Sequence, residues 1–221
     1  MENKDIFPHI DHTLLRPTST QAEIDKLCEE ALKYNTASVC IPPCYVAYVR
    51  KTYKELKICT VIGFPLGYSA SAVKCFEAQQ AIKDGADEVD MVINICDVKN
   101  GRFDVIEAEI AAVKRSCGES VLKVIIETCY LTEDEKIKLC GAVTRAGADY
   151  IKTSTGFGTD GAKIEDIRLF KQHIGDNVKM KAAGGVKTKA DLEMFLNEGC
   201  ERIGTSSAVK LLLDGESNGG Y

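Results

Sequence analysis

Two lysines sit where a packed strand ordinarily takes Val or Leu. ADYIKTSTGFG (148–158) holds Lys152 inside a short apolar run, and VKMKAAGG (178–185) does the same with Lys181. Asp11 in HIDHT, Asp90 in EVDMVIN and Lys123 in VLKVIIE share this placement. A buried charge is costly unless paired, and an unpaired one shifts its proton affinity instead. An amine near cations and apolar walls gives up its proton more readily, and a neutral lysine attacks a carbonyl carbon. One lysine would attack while a second, still charged, eases its deprotonation. An aspartate would move protons, directly or through water, as a hemiaminal forms and collapses. That is the equipment of a Schiff-base aldolase or a related carbonyl enzyme, and it calls for no metal. The three histidines (His9, His12, His173) and ten dispersed cysteines include no CxxC pair and no ligand spacing. No zinc site and no cofactor are expected, and the cysteines read as reduced, mostly buried small hydrophobes.

The elements that must position these residues recur along the chain. DGADEVDMV, AGADYIKTS and EGCERIGTS share one joint: a helix end, a Gly, a small residue, an acid, then an apolar run. Gly85, Gly147 and Gly199 suit the position that ends a helix in the left-handed region. In TQAEIDKLCEEALKY, Ile24, Leu27, Cys28, Ala31 and Leu32 fall on one helical face; in RFDVIEAEIAAVKRSC, Phe103, Ile106, Ile110 and Val113 do. Thr132 to Glu135 is a capping box opening another helix. Strands are expected at 9–13, 38–42, 59–64, 88–94, 121–127, 150–154, 179–184 and 202–206. Eight strands alternating with eight helices predict an α/β protein, a single (β/α)8 TIM barrel. The rival, an open doubly wound sheet, would want a GxGxxG turn after its first strand, which is absent.

Side chains alternate along each strand. If the apolar faces meet the helices, then Asp11, Asp90, Lys123, Lys152 and Lys181 converge inside the barrel; Glu127 shares the inward set of its strand. A structural salt-bridge plug is the plain alternative. Convergence near the C-terminal strand ends favours chemistry, because active sites of this fold sit at that face.

The chain has 221 residues and a formal net charge of −5, which suits one barrel domain over 1–213 with a polar, Gly-rich tail at 214–221 expected to be mobile. The charge argues against a general nucleic-acid partner. The apolar runs are too short to span a bilayer, and MENKDIFPHIDHT lacks an apolar signal core, so a cytoplasmic location is expected.

Small residues end three strands. Thr155-Gly156 follows the sixth, Gly184-Gly185 the seventh, and Ser206-Ser207 closes the eighth and opens a helix. Loops after the last two strands commonly bind phosphate in such barrels, where glycines admit backbone N–H groups and a helix start favours an anion. Cys40 is expected inward as a small pocket wall. Asp11 is expected either to bind a substrate hydroxyl or to pair with a lysine.

IKTSTGFG, EVDMVIN, KVIIET, KAAGGVK and IGTSS, in their order over about Asp11 to Ala208, closely resemble the deoxyribose-phosphate aldolases, a family of class I aldolases. The resemblance implies Lys152 as the Schiff-base lysine, Lys181 as the neighbour that lowers its pKa and Asp90 as the proton relay. It implies reversible cleavage of 2-deoxyribose 5-phosphate to glyceraldehyde 3-phosphate and acetaldehyde, in deoxyribose phosphate catabolism, by a homodimer or homotetramer. Some members carry Lys after the STG glycine; here it is Phe157, so a cationic phosphate contact there is lost. Longer members use a C-terminal tyrosine in proton transfer, which makes Tyr221 a candidate. Another Schiff-base aldolase or transaldolase, a sugar-phosphate isomerase or epimerase, and a non-catalytic phosphate binder are the competing readings.

Overall fold

The computed structural model of the chain describes residues 1–214. Its strands are β1 (Ile10–Thr13), β2 (Ser38–Ile41), β3 (Ile58–Ile62), β4 (Glu88–Val92), β5 (Val121–Ile125), β6 (Tyr150–Lys152), β7 (Lys179–Ala183) and β8 (Arg202–Thr205). All are parallel, each pairs with the next, and β8 pairs back onto β1, closing the barrel. The helix following each strand is, in order, α2 (Gln21–Tyr34), α3 (Val46–Thr52), α4 (Ser71–Lys83), α6 (Phe103–Cys117), α7 (Glu133–Arg145), α8 (Ile164–His173), α9 (Lys189–Glu198) and α10 (Ala208–Asp214). Two short helices add to the expected eight: α1 (Asn3–Ile6) precedes β1 and α5 (Ile95–Lys99) precedes α6. The molecule is a single (β/α)8 barrel.

Local chemistry explains the boundaries. Capping boxes open α2 (Thr20 with Glu23), α7 (Thr132 with Glu135) and α9 (Thr188 with Asp191), each satisfying backbone donors that the first turn leaves free. Asn35, Gly147 and Gly199 take up the left-handed turn after α2, α7 and α9. Between strands and helices lies the main core, where Val89, Met91, Leu122, Val124 and Ile151 are fully buried. Leu32 departs from the expected face of α2: it is 45% exposed, while Ile24, Leu27, Cys28 and Ala31 are buried.

The expected strands overrun the observed ones by one or two residues. β2 stops at Ile41 because Pro42 has no N–H to continue the ladder. β5 stops at Ile125, and Glu127, read as the last inward residue of that strand, turns into the left-handed region instead, with φ 53°. Among the described residues, no helix is long and apolar enough to cross a membrane.

Candidate active site

Parallel register brings the charged residues together. Asp90 on β4 is the partner of Lys123 on β5, and Lys152 on β6 is the partner of Lys181 on β7. Asp90 Oδ2 accepts hydrogen bonds from Lys152 Nζ and Lys181 Nζ, each at 2.7 Å. The two amino nitrogens therefore share one oxygen and lie no further apart than the sum of those bonds. Asp90 Oδ1 accepts from Lys123 Nζ at 2.9 Å and from the Cys59 thiol at 3.1 Å. Across the barrel, Asp11 Oδ2 faces Lys181 Nζ at 2.5 Å and Lys123 Nζ at 3.7 Å, and its Oδ1 accepts from Ser38 Oγ at 2.7 Å and from Arg202. Glu88 pairs with Lys123 at 2.5 Å and with Arg202 at 2.6 Å. Among the described residues, four cations thus meet three carboxylates in one network inside the barrel.

Burial penalises every charge in this network, and the partners decide the outcome. For Asp90, burial alone would raise the carboxyl; Lys123, Lys152 and Lys181 outweigh it and hold Asp90 well below the usual carboxylate range. Asp11 is lowered likewise, with Lys181, Lys123 and Arg202 overcoming burial. Lys181 moves the other way: burial would free its proton, but Asp11 and Asp90 hold it charged above the ordinary lysine range. Lys123 is raised too, chiefly by Asp90 against burial.

A cavity of about 290 Å³ opens at the C-terminal ends of the strands. Its wall includes Lys152, Thr155, Gly156, Gly184, Gly185, Ser206 and Ser207, so the catalytic lysine expected from the sequence and the expected phosphate residues share one space. Gly184 and Gly185 both have φ near the left-handed value, 76° and 74°, which lets their backbone turn where a side chain would strain it. Among the described residues, Lys152 is the one network member in the cavity wall. Asp11, Asp90, Lys123, Lys181 and Cys40 lie beneath it, fully buried. Asp11 accordingly pairs with lysine, the second of the two roles expected for it. Phe157 sets its ring edge-on to Phe64, with centroids 5.3 Å apart. Tyr221 lies outside the described residues.

Sequence reasoning missed Glu88, Arg202, Cys59 and Lys187. Glu88 and Arg202 obey the same alternation as Asp90 and Gly204, two residues on, so the signal was present. Lys187 follows the KAAGGV run and joins the cavity wall, placing a cation in the space where Phe157 offers none. Cys40, Cys59 and Asp90, and separately Asp11, Cys59 and Glu88, bring three sulfur or oxygen atoms within 4.8 Å of one another. The carboxylates in both sets already hold ammonium or guanidinium groups, so a metal ion there would compete with the protein's own cations.

Residues 6–212 match the DeoC/LacD family aldolase model. The chain is 61% identical over its full length to the full length of a Clostridium botulinum protein described as deoxyribose-phosphate aldolase. It is 58% identical over 95% of its length, and 96% of the other's, to one so described from Clostridioides difficile. Among solved structures, the tetrameric deoxyribose phosphate aldolase of Aeropyrum pernix superposes with a TM-score of 0.87 at 31% identity, covering 96% of this chain and 91% of that one.

Proposed function

The chain belongs to the DeoC/LacD family of aldolases, and on that premise we propose that it cleaves 2-deoxyribose 5-phosphate reversibly to glyceraldehyde 3-phosphate and acetaldehyde through a Schiff base on Lys152. The observation behind this reading is the shared Asp90 oxygen: Lys152 and Lys181 both bind it at 2.7 Å, and Lys152 alone of the two lines the cavity. Lys181 and Lys123 are held charged by their carboxylate partners, which leaves the cavity-lining amine of Lys152 as the nucleophile of this reading.

The free amine of Lys152 attacks C1 of the open-chain aldehyde, and the hemiaminal loses water to give an iminium. The C2–C3 bond then breaks, its electron pair enters the iminium as a neutral enamine, and the C3 hydroxyl gives up its proton as C3 becomes the aldehyde carbon of glyceraldehyde 3-phosphate. The enamine takes a proton at C2, and water releases acetaldehyde and the amine. Splitting one hard cleavage into these steps is the gain of covalent catalysis. Asp90 serves as the relay of this reading, passing protons through the oxygen that Lys152 and Lys181 share, with Lys123 on its other oxygen. Gly184, Gly185, Ser206, Ser207 and Lys187, which line the same cavity, hold the phosphate. Tyr221 is retained as a candidate for proton transfer at C2. Assembly as a dimer or tetramer belongs to the same reading.

Acetaldehyde should appear when 2-deoxyribose 5-phosphate is added, with a chelator present. Borohydride with acetaldehyde should fix a two-carbon adduct on Lys152. An adduct on Lys181 alone would reverse the roles of the two lysines.

A further inference from the structure

Glu127 is a buried carboxyl beside the charge network, near enough to feel the charge of Lys152, and its backbone is strained. It is 2% exposed and has φ 53° and ψ 68°, a left-handed conformation unfavourable for any residue with a Cβ. Among the described residues, Asn35 is the one other non-glycine with positive φ, and Asn35 merely ends a helix. What the strained turn achieves is contact with the β6–α8 loop. Both carboxyl oxygens of Glu127 accept the Thr155 N–H, each at 3.2 Å, and Oε2 accepts the Thr155 hydroxyl at 2.5 Å. The Thr128 N–H donates to Thr153 O at 2.9 Å, tying the same two segments. Gly158 packs so closely that a Cβ there would fall 3.1 Å from Glu127 Cδ.

These bonds determine what Thr155 offers the cavity that it shares with Lys152. Its hydroxyl proton is committed to Glu127. One oxygen lone pair takes the Phe157 N–H at 2.9 Å. Its own N–H is committed as well. A hydroxyl has one proton and two acceptor positions, so the remaining capacity of Thr155 is a single acceptor. It can take a hydrogen bond from a substrate hydroxyl and has no donor left for a phosphate oxygen.

We propose that Glu127 is a positioning residue that fixes the Thr155 hydroxyl as a hydrogen-bond acceptor in the cavity, so that the site selects a phosphorylated chain bearing a hydroxyl on its middle carbons. This rests on the aldolase reading above and adds a determinant of substrate specificity to it. The corollary is that Thr155, grouped from the sequence with the phosphate residues, belongs to recognition of the sugar hydroxyls.

The test uses unreactive 2-deoxyribitol 5-phosphate and its counterparts lacking the 3- or the 4-hydroxyl, compared as inhibitors of deoxyribose 5-phosphate cleavage. Wild type should bind the parent at least roughly tenfold more tightly than one of the two counterparts, the discrimination expected of a site with a buried acceptor for that hydroxyl. In Thr155→Val and in Glu127→Ala this ratio should collapse towards one, and the double variant should lose nothing further. Glu127→Gln should keep it, because an amide oxygen at the Oε2 position still accepts from Thr155. An unchanged ratio in Thr155→Val or Glu127→Ala overturns the proposal, as does its loss in Glu127→Gln or its absence from wild type. If Glu127→Ala fails to fold, the other two variants decide. Failure of the aldolase reading is a separate result: wild type would then release no acetaldehyde at all.

Discussion

Lys187, the last residue of KAAGGVK, gives the cavity a cation where the residue after the STG glycine is Phe157. Its backbone N–H is fixed by Asp191 at 2.9 Å, and the residue joins Gly184, Gly185 and Ser206 in the wall. A charge-assisted bond to phosphate contributes roughly tenfold to a hundredfold in affinity, and exposure with salt screening favours the lower figure. Lys187→Ala should therefore raise KM for 2-deoxyribose 5-phosphate about tenfold and leave unphosphorylated 2-deoxyribose nearly unaffected. Equal effects on both sugars would remove Lys187 from the phosphate site. At this scale, legibility followed the period of the strand. Asp11, Asp90, Lys123, Lys152 and Lys181 stood out because charges in apolar alternation are conspicuous. Glu88 and Arg202 sit at strand beginnings, where a charge ordinarily faces water, and so passed as rim residues. Glu127 was read inward as the end of its strand, but its left-handed turn and its bond to Thr155 were not legible, because alternation assumes extended backbone.

At the scale of elements, β4 is anchored from outside as well as inside. Lys74 of α4 is fully buried; its Nζ donates to Val92 O at 2.9 Å and to Glu109 of α6, also at 2.9 Å. Glu109 also accepts from Ser71 Oγ at 3.0 Å. The helix pair α4–α6 thus grips the end of the strand that carries Asp90. Removing one partner of a buried ion pair costs about 3–5 kcal/mol, whereas replacing both with apolar groups is often nearly neutral. Lys74→Met should lower the urea unfolding midpoint accordingly, and Lys74→Met with Glu109→Leu should recover most of the loss. If the single substitution leaves the midpoint unchanged, the pair is not holding the strand. Neither residue stood out in the sequence, since a Lys and a Glu on separate helices look like solvent-facing positions. The strands were visible through their apolar faces, yet their ends were not, because alternation does not report where ladder hydrogen bonds stop.

At the scale of the whole molecule, the central network ties stability to pH. Asp11 and Asp90 titrate lower in the folded protein than in the unfolded chain, where an aspartate sits at about 3.9. Each contributes stability above that value and loses it as the pH falls below about 4 towards the folded titration point. Lys123 and Lys181 titrate higher when folded. Their contribution is complete at neutral pH and declines only as the pH climbs past the unfolded lysine value of about 10.4. The unfolding midpoint should be level through neutrality and drop on acidification below about pH 4; a midpoint that holds steady to pH 3 would contradict the network's role.

Barrel closure also governs how the protein comes into being. Asp11 is made early, and Arg202, which it meets across the β1–β8 seam, follows 191 positions later. Until the last strand arrives, a growing chain presents two bare sheet edges and an aspartate without its guanidinium, a state prone to pairing with its neighbours. A truncation before Arg202 should accordingly yield insoluble material in place of a weakened catalyst.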